Sequence, residues 1–326
     1  MVQTNFSTLL TDHVRRQIEQ YGMESEVGKQ YLPDEKEMDL DLQEHGLIDP
    51  ITDKEFNKAP QIIHRYKSRA LFLPTHICPV HCRYCFRRNH LGQYDQKKTD
   101  SLFQQELSKT LDYLKSHPEI LELIWTGGDP LSLSNSKIEK YLEAFSKIDH
   151  LKFMRIHSKF PTVQPSRIDE DLLKVFKNYK DHFSAITIVI HINHAKEISD
   201  GLKKSVEKLK NVGINVLSQS VLLKGVNDSQ KALSQLFLRL GEIGVIPYYL
   251  HHPDRVKHAM HFYLPLEQGR ILYNKLKNEL PGWLIPRYVL DLPNGDGKTQ
   301  AFDPEKFEVG SHFLNRNSQL TSVVEQ

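Results

Sequence analysis

Short apolar runs rich in β-branched residues alternate with longer charged, amphipathic stretches along this chain, from about residue 60 onward. Such alternation is typical of βα units, in which each helix connects two neighbouring parallel strands. The intervening stretches are long enough for right-handed crossover connections. The pattern therefore predicts an α/β fold with a partial (β/α)6 barrel. The predicted strands are ALFLP (70–74), LELIWT (121–126), KFMRIHS (152–158), AITIVIHI (185–192), INVLSQSVLL (214–223) and VIPYYL (245–250).

Helix-like stretches fill the gaps between these strands, and two further segments flank them. Residues 1–60 combine short helical stretches with polar, proline-containing links, which predicts an N-terminal helical extension. The barrel core is expected over 61–285, and 286–326 adds another apolar strand, a glycine-rich turn and a tail. The predicted helices lie near 100–116, 135–149, 168–179, 200–211 and 228–240.

The composition is that of an ordinary globular protein of 326 residues, 39% hydrophobic, with a net charge of +2. This balance lacks the basic excess that is usual in nucleic-acid-binding modules. The N-terminus MVQTNFSTLLTDHVRRQIEQYG is polar, and no run approaches the roughly 18 apolar residues needed to span a membrane. We therefore expect a cytoplasmic protein that binds neither membranes nor nucleic acid.

All three cysteines, Cys78, Cys82 and Cys85, follow the first predicted strand closely. An odd number of clustered thiols argues against a secreted disulfide framework and favours metal binding in a reducing compartment. Structural zinc needs four ligands and would have to recruit a histidine. A [4Fe-4S] cluster held by three thiolates instead leaves its fourth iron open to a small molecule. The histidines close enough in sequence for the zinc alternative are His76, His81 and His90.

The C-x3-C-x2-C spacing, its position after the first barrel strand and Tyr84 just before the last cysteine resemble the radical S-adenosylmethionine (SAM) superfamily. The resemblance implies that Cys78, Cys82 and Cys85 hold a [4Fe-4S] cluster whose open iron binds SAM. It also implies that one electron from a reductant cleaves SAM to a 5'-deoxyadenosyl radical, which removes hydrogen from an unactivated carbon. Zinc remains the alternative at this point.

The second predicted strand ends in TGGDP, which contains Gly127, Gly128 and Asp129. Turn chemistry alone favours a tight turn here, because glycine permits unusual backbone angles and close approach. The superfamily resemblance implies instead that this Gly-Gly-acid motif holds the amino group of SAM. Active sites of parallel βα folds lie at the C-terminal ends of the strands. By that rule, further candidates for the SAM pocket are Ser158, His191, His194 and Gln219.

A glycine-rich turn lies within VLDLPNGDGKT, residues 289–299, after the last apolar run. It does not match a phosphate-binding P-loop, because that pattern requires glycine where this chain has Leu292. Lys298 in this turn has two interpretations. Exposure as a solvated loop lysine is the usual case, whereas an amine displayed in this way is also suited to form a Schiff base with pyridoxal 5'-phosphate (PLP).

Several motifs together resemble the lysine 2,3-aminomutase family over about residues 60–300. The chain length resembles the shorter bacterial members, which make (R)-β-lysine for the modification of elongation factor P. The motifs are HRYKSRALFL (64–73), CRYCFRR (82–88), SQSVLLKGVND (218–228), PYYLHHPDRVKHAMHF (247–262) and the D-x6-K spacing of Asp291 and Lys298.

This second resemblance implies a role for each matching residue. Arginine suits phosphate and carboxylate because its planar fork donates two hydrogen bonds together, and Arg87 is implied to bind the substrate carboxylate. Two converging carboxylates suit a cationic substrate, because they would repel each other if left unpaired. The residues implied to bind PLP are Lys298, Arg65 and Arg69. The residues implied to bind the distal ammonium group of lysine are Asp254 and Asp291.

The implied reaction moves the α-amino group of L-lysine to C3, with the [4Fe-4S] cluster, SAM and PLP as cofactors. The implied partners are L-lysine, an electron donor, and elongation factor P with its lysyl-transferring ligase, and a homo-oligomer is expected. One alternative is an aminomutase acting on another amino acid, such as arginine. A more distant alternative is a zinc-stabilised RNA-binding module built on CRYCFRRNH. The sequence suggests no partner for Arg88.

Overall fold

A computed structural model describes residues 6–89, 100–292, 296–302, 312–314 and 320–322. His90, one of the possible zinc ligands, lies outside the described residues. Within them, no helix is long and apolar enough to cross a membrane. The main element of the fold is one sheet whose strands follow one another in the order of the chain.

This sheet contains ten strands, and a separate pair lies near the C-terminus. The strands of the large sheet are β1 (Asn57–Ala59), β2 (Ile62–Tyr66), β3 (Arg69–Thr75), β4 (Glu122–Gly127), β5 (Phe153–Ser158), β6 (Ala185–His191), β7 (Asn215–Val221), β8 (Ile246–His251), β9 (Arg287–Leu292) and β10 (Gly297–Gln300). The separate pair is β11 (His312–Leu314) and β12 (Leu320–Ser322). Strands β3 to β9 are parallel, and the pairs β1–β2, β2–β3 and β9–β10 are antiparallel. The predicted α/β fold of successive βα units is confirmed.

Helices connect the parallel strands. The helices are α1 (Asp12–Tyr21), α2 (Gly28–Tyr31), α3 (Asp100–Lys115), α4 (Asn135–Ser146), α5 (Phe160–Val163), α6 (Glu170–Tyr179), α7 (Asp200–Asn211), α8 (Gln230–Glu242) and α9 (Leu266–Lys277). The five predicted helices correspond to α3, α4, α6, α7 and α8. Helix α9 was not among the predicted helices, and it contains Gly269. A Cβ atom at this glycine would lie 1.9 Å from the hydroxyl oxygen of Tyr288, so close packing requires glycine there.

Side-chain caps begin several of the connecting helices. Asp169 accepts a hydrogen bond from the backbone N of Leu172 at the start of α6, at 2.8 Å. Ser199 and Ser229 cap α7 and α8 in the same way. Such caps satisfy backbone donors that have no partner within the helix. They begin each helix at the end of the loop that follows the preceding strand.

Aromatic side chains fill the core between the sheet and the helices. Phe72 on β3 packs edge-to-face against Trp125 on β4, with ring centroids 5.2 Å apart, and against Tyr141 and Phe145 on α4. All four side chains are fully or almost fully buried. Burial of large aromatic side chains contributes about 1.5–3 kcal/mol each for a residue of phenylalanine size. This packing fixes the first two parallel strands, β3 and β4. The loop that follows β3 and carries Cys78, Cys82 and Cys85 is called the cysteine loop below, and residues 126–129 at the end of β4 are called the TGGD turn.

The N-terminal extension packs directly on the cysteine loop. Val14 and Ile18 on α1 form a buried cluster with Val80 of the loop and Val163 of α5. The extension was predicted to be helical, but it also contributes β1, a short strand with mostly exposed residues. Because β1 lacks an apolar alternation, nothing in its sequence marked it as a strand. The predicted boundary at residue 60 falls between β1 and β2.

The sheet curves so that strands near its two edges, β2 and β10, come into contact. The backbone N of Lys298 on β10 donates a hydrogen bond to the hydroxyl oxygen of Tyr66 on β2, at 2.5 Å. Lys298 is also paired with Asp291 across the antiparallel β9–β10 ladder. The curvature therefore brings β2 and β10 around one cavity, as expected for a partial barrel.

Candidate active site

A cavity of about 320 Å³ lies at the C-terminal ends of the parallel strands. Most of the residues that line it lie on or directly after the strands from β2 through β10 and on the cysteine loop. This position agrees with the general location of active sites in parallel βα folds. Of the residues singled out from the sequence, those that line the cavity are Arg65, Arg69, Cys78, Cys82, Cys85, Arg87, Gly127, Gly128, Asp129, Ser158, His191, Gln219, Asp254, Asp291 and Lys298.

Among the residues predicted to bind SAM, PLP, the cluster or the substrate, His194 is the one that does not line this cavity. Its Nδ1 atom accepts a hydrogen bond from the backbone N of Lys196 at 3.1 Å and caps the short 3-10 turn Ala195–Glu197. The expectation that His194 belongs to the SAM pocket is therefore corrected. Strand β6 ends at His191, and by the third residue after it the chain has turned away from the strand ends.

Two arginines anchor the cysteine loop to a single buried acid. Arg83 donates from Nε to Oε1 of Glu37 at 2.7 Å, and its terminal nitrogen contacts Oε2. Arg88 donates to the same Oε2 at 2.7 Å, which supplies the partner that the sequence did not suggest. Burial alone would raise the pKa of Glu37, but the hydrogen bonds from Arg83 and Arg88 outweigh burial and lower this pKa. A carboxylate in the extension thus holds the loop at two points, just after Cys82 and three residues after Cys85.

The three thiols face the cavity in a partly dry environment. Burial raises the pKa of Cys78, Cys82 and Cys85, that of Cys85 to about 11. Such thiols become thiolates when a metal supplies compensating positive charge. Lys159 and a hydrogen bond from Tyr84 partly offset burial: both lower the pKa of Cys82 and so favour its thiolate. The donor set therefore fits a metal cluster with an open coordination position.

The same donor set fits zinc less well. Among the described residues, no group of three or more His, Cys, Asp or Glu side chains has the arrangement of a single-ion site. His81 faces the extension, where its Nδ1 lies 2.8 Å from the carbonyl oxygen of Ser7 and its ring stacks on Phe6. In a [4Fe-4S] cluster the three thiolates bind three different iron atoms, so they need not converge on one point.

The TGGD turn holds the start of the cysteine loop. The backbone N of Gly128 donates to the carbonyl oxygen of Thr75 at 2.8 Å, and that of Asp129 donates to Ile77 at 2.8 Å. A Cβ atom at Gly128 would lie 2.4 Å from the Ile77 carbonyl oxygen, and Gly127 has a positive φ of 107°. The glycines are therefore required for close backbone packing beside Cys78, in agreement with the tight-turn interpretation.

Asp129 is buried and accepts several hydrogen bonds. Its Oδ1 accepts from the hydroxyl of Ser158 at 2.8 Å and from the backbone N of Leu131 at 3.1 Å, and its Oδ2 accepts from the backbone N of Lys159 at 2.7 Å. Burial still raises its pKa to about 6, because these bonds only partly offset the loss of water. Asp129 thus joins the ends of β4 and β5 and presents its remaining acceptor capacity to the cavity.

A chain of hydrogen bonds lines the floor of the cavity. The Tyr84 hydroxyl lies 2.9 Å from Nε2 of His191 and 3.1 Å from Nζ of Lys159. Gln219 continues the chain, with Nε2 3.4 Å from Nδ1 of His191 and Oε1 2.9 Å from Nδ1 of His157. Burial lowers the pKa of both histidines well below the ordinary value, so both rings are neutral. The predicted His191 and Gln219 thus belong to one chain of hydrogen bonds with His157 and Lys159, two residues that sequence reasoning missed.

Lys298 and two aspartates lie on the opposite side of the cavity. Nζ of Lys298 donates to Oδ2 of Asp291 and lies 3.3 Å from Nδ1 of His251. Burial, together with the negative charge of Asp291, raises the pKa of Asp254 to about 7. Burial and the Lys298 charge lower the pKa of His251. Asp291 thus pairs with the Lys298 ammonium, and Asp254 lies close enough for both charges to affect its pKa.

Three arginines lie between these two sides. Arg65 donates to Oδ1 of Asp53 at 3.2 Å, and Arg87 donates to Oδ2 of the same residue at 2.7 Å. Arg87 also donates to the hydroxyl of Thr126 at 3.2 Å. The guanidinium of Arg69 stacks on the ring of Tyr66 at 3.8 Å. Cationic groups therefore line the middle of the cavity, and an amine and two carboxylates lie beyond them, a donor set that fits PLP and an amino acid.

Sequence reasoning missed several residues of this site. His251 ends β8 and Lys159 follows β5, so the rule applied to the other strand ends would have found both. Asp53 and Glu37 lie in short 3-10 turns of the extension, Asp53–Phe56 and Glu35–Glu37, and no spacing pattern marked either residue. Their importance comes from contacts with arginines that are distant in sequence.

Comparison with known proteins identifies the class first. Residues 72–237 match the model of the radical SAM superfamily. This range runs from β3 into α8 and includes all three cysteines and the TGGD turn. The chain therefore belongs to the radical SAM superfamily, which implies a [4Fe-4S] cluster and SAM.

Curated relatives define the family within that class. The chain is 37% identical over 270 residues to the L-lysine 2,3-aminomutase of Buchnera aphidicola subsp. Baizongia pistaciae, covering 82% of this chain and 76% of the relative. It is 36% identical to the Escherichia coli (strain K12) L-lysine 2,3-aminomutase over 251 residues, covering 77% and 71%. The relative from Methanococcus maripaludis is 35% identical over 300 residues, covering 91% and 67%. The chain belongs to the lysine 2,3-aminomutase family and is an isomerase. This result replaces the alternative of an RNA-binding module.

Proposed function

We propose that this protein is a PLP-dependent radical SAM enzyme that converts L-lysine to β-lysine. The observation that carries the proposal is the shared cavity. The cysteine thiols, the TGGD turn, Lys298 and the two aspartates all line the same 320 Å³ space. Cluster, SAM, PLP and substrate would therefore meet in one enclosure, as the migration of an amino group requires.

The cysteine side would hold the cluster and SAM. Its cluster ligands are Cys78, Cys82 and Cys85. When bound, the cluster and SAM supply a radical that abstracts hydrogen, and PLP supplies delocalisation for an unpaired electron. The residues proposed to hold SAM are Gly127, Gly128, Asp129, Ser158, His191 and Gln219.

The lysine side would hold PLP and the substrate. Lys298 offers the amine, and Arg65 and Arg69 offer guanidinium groups for the phosphate. Arg87 is proposed to bind the substrate carboxylate. In the absence of substrate, the Lys298 ammonium lies against Asp291, so it already occupies part of the proposed cation site.

The two aspartates support a dibasic substrate. Asp254 and Asp291 repel each other, and this repulsion contributes to the raised pKa of Asp254. A substrate ammonium between them would restore the charge of Asp254 and relieve the repulsion. An acidic amino acid would add a third carboxylate to the same place. The site therefore favours lysine, with arginine as the nearest cationic competitor.

Absorption spectra and turnover test this proposal together. Wild-type protein, purified anaerobically and reconstituted with iron, sulfide and PLP, should show a broad iron-sulfur band and the band of lysine-bound PLP. Lys298→Ala should retain iron and sulfide but lose the PLP band and the turnover of L-lysine. Lys208→Ala, a surface lysine that pairs with Glu170, is the matched control and should behave as wild type.

Three outcomes would overturn parts of the proposal. An unchanged PLP band in Lys298→Ala would remove that lysine from the PLP site. Turnover of L-arginine without turnover of L-lysine would change the substrate. Stoichiometric zinc without sulfide would remove the cluster.

The biological setting is proposed on the resemblance alone. We propose that the product is (R)-β-lysine, which a lysyl-transferring ligase attaches to elongation factor P in the cytoplasm. A low-potential electron donor would reduce the cluster, and the enzyme would act as a homo-oligomer. Analysis of the product on a chiral column tests the first step, and loss of β-lysylated elongation factor P in a deletion strain tests the second.

A further inference from the structure

The N-terminal extension contributes one acidic side chain to the cavity. Ile51 and Asp53 are the residues of the extension that line it. Thr52, between them, adopts a positive φ of 53°, which is a strained conformation for a β-branched residue. Strain of this kind persists where the surrounding contacts require a particular geometry. Here it precedes the residue that enters the site.

Asp53 divides its two carboxylate oxygens between two arginines. Oδ1 accepts from Arg65 on β2 at 3.2 Å, and Oδ2 accepts from Arg87 of the cysteine loop at 2.7 Å. All three side chains are largely buried, with at most 14% exposed. The two guanidinium groups therefore lie on either side of a single carboxylate, with a combined charge of +1.

The bound carboxylate has a clear electrostatic consequence. Without it, Arg65 and Arg87 would form a site of charge +2, with the guanidinium groups close enough for one anion to bridge. Phosphate carries up to two negative charges and binds arginine through paired hydrogen bonds. It would therefore occupy both arginines and exclude the carboxylate of an amino acid.

We propose that Asp53 is a specificity-determining positioning residue that keeps Arg65 and Arg87 as two separate anion sites. One arginine then takes the phosphate of PLP, and the other takes the carboxylate of the substrate. This inference rests on the proposed function for the identity of the two anions. The separation of the arginines rests on the contacts of Asp53 alone.

Direct binding of inorganic phosphate tests the separation without turnover. Calorimetry is done on the full-length, cluster-reconstituted, PLP-free protein. Asp53→Asn should bind phosphate at least about tenfold more tightly than wild type, because the +2 site is then open. Asp53→Glu, which keeps the charge, should retain the wild-type affinity. Asp41→Asn, an exposed acid of the extension, is the matched control and should also leave it unchanged.

Kinetics then separate positioning from folding. In Asp53→Asn, phosphate should become a competitive inhibitor against L-lysine and raise its apparent KM at least about tenfold, with kcat changed less than about threefold. Adding Arg87→Met to this variant should abolish the gain in phosphate affinity. Asp53→Ala provides the same measurements if the asparagine variant is poorly folded.

The outcomes distinguish this inference from the proposed function. Unchanged phosphate affinity in folded Asp53→Asn or Asp53→Ala would overturn the role of Asp53. The same gain in phosphate affinity with and without Arg87 would also overturn it. Failure of the wild-type enzyme to rearrange lysine would instead refute the proposed function, and the calorimetry would still report on Asp53.

Discussion

The buried acidic side chains on the two sides of the cavity differ in the partners that the folded chain gives them. On the cysteine side, Glu37 is matched by Arg83 and Arg88, and Asp129 accepts hydrogen bonds from three donors. On the lysine side, Asp291 pairs with the ammonium of Lys298, whereas no ion pair to Asp254 is present in the part of the chain that the structure describes. Among the described residues, the Asp254 carboxylate accepts no hydrogen bond, and its pKa is raised to about 7.

This difference separates scaffold from binding site. The charge of Glu37 is compensated within the folded chain, so this anchor of the cysteine loop does not depend on a ligand. The lysine side has one carboxylate more than its cation can neutralise, so it is suited to receive a further positive charge. Substitution of Glu37 should therefore reduce stability, and substitutions of the lysine-side aspartates should reduce activity.

Removing the charge of Glu37 should have the largest effect. In Glu37→Gln, two buried guanidinium groups lose their counter-ion, which should cost about 3–5 kcal/mol of unfolding free energy. Urea unfolding measures the loss. Glu26→Gln, which breaks a half-exposed pair with Lys196, is the control and should cost at most about 1 kcal/mol. Equal losses in the two variants would contradict a scaffold role for Glu37.

Asp291→Asn should affect activity far more than stability. Loss of one partner from a buried charge pair typically costs about 2–5 kcal/mol of binding energy, so kcat/KM for L-lysine should fall about 100-fold. The unfolding free energy should change by less than about 1 kcal/mol, because repulsion with Asp254 is relieved at the same time. Steady-state kinetics and urea unfolding measure both. Normal kinetics in this variant, or a fall of similar size in exposed Asp228→Asn, would remove Asp291 from the site.

Gly128→Ala tests how tightly the cysteine loop is held. The new methyl group would lie 2.4 Å from a backbone oxygen, so the loop must shift, at a cost of about 1–3 kcal/mol. Iron retained after reconstitution should fall, because Ile77 directly precedes Cys78. At Gly282 a Cβ atom meets nothing within 4 Å, so Gly282→Ala is the control and should retain full iron. Full iron in Gly128→Ala would show that the loop tolerates the shift.

The pH dependence of stability should show the surplus carboxylate. An acid whose pKa rises from 3.8 to about 7 on folding binds more protons in the folded state than in the unfolded state. Its contribution to stability therefore falls as the pH rises through that range. Asp254→Asn should remove this slope and gain about 1 kcal/mol relative to wild type between about pH 6 and pH 7.5. Parallel pH curves from urea unfolding would contradict the raised pKa.

The cavity arginines, Asp254, Asp291 and Lys298 were predicted only from the family resemblance. The sequence pattern itself was sufficient to predict the parallel strands and polar residues at their ends. Their signals are local: an apolar run ends, and a polar residue follows it. Because parallel strands all end at the same edge, residues as distant as Asp129 and Gln219 could be assigned to one site. The rule failed for His194, because three residues past the strand end are enough for the chain to turn away.

The charge partners could not be predicted. Arg88 and Glu37 are separated by 51 residues, and neither lies in a periodic element that would fix its position. Asp53 likewise contacts arginines on β2 and on the cysteine loop. Such pairings depend on how the loops pack in three dimensions, and composition and spacing contain no record of that packing.

The chain-ordered sheet sets a sequence of assembly during protein synthesis. Neighbouring strands in space are neighbours in the chain, so each strand can pair soon after it leaves the ribosome. The cysteine loop is made early, with β3. Lys298 arrives with the last strand of this sheet and reaches back 232 residues to the hydroxyl of Tyr66. The growing chain can thus form its cluster-binding loop long before it has the amine that would hold PLP.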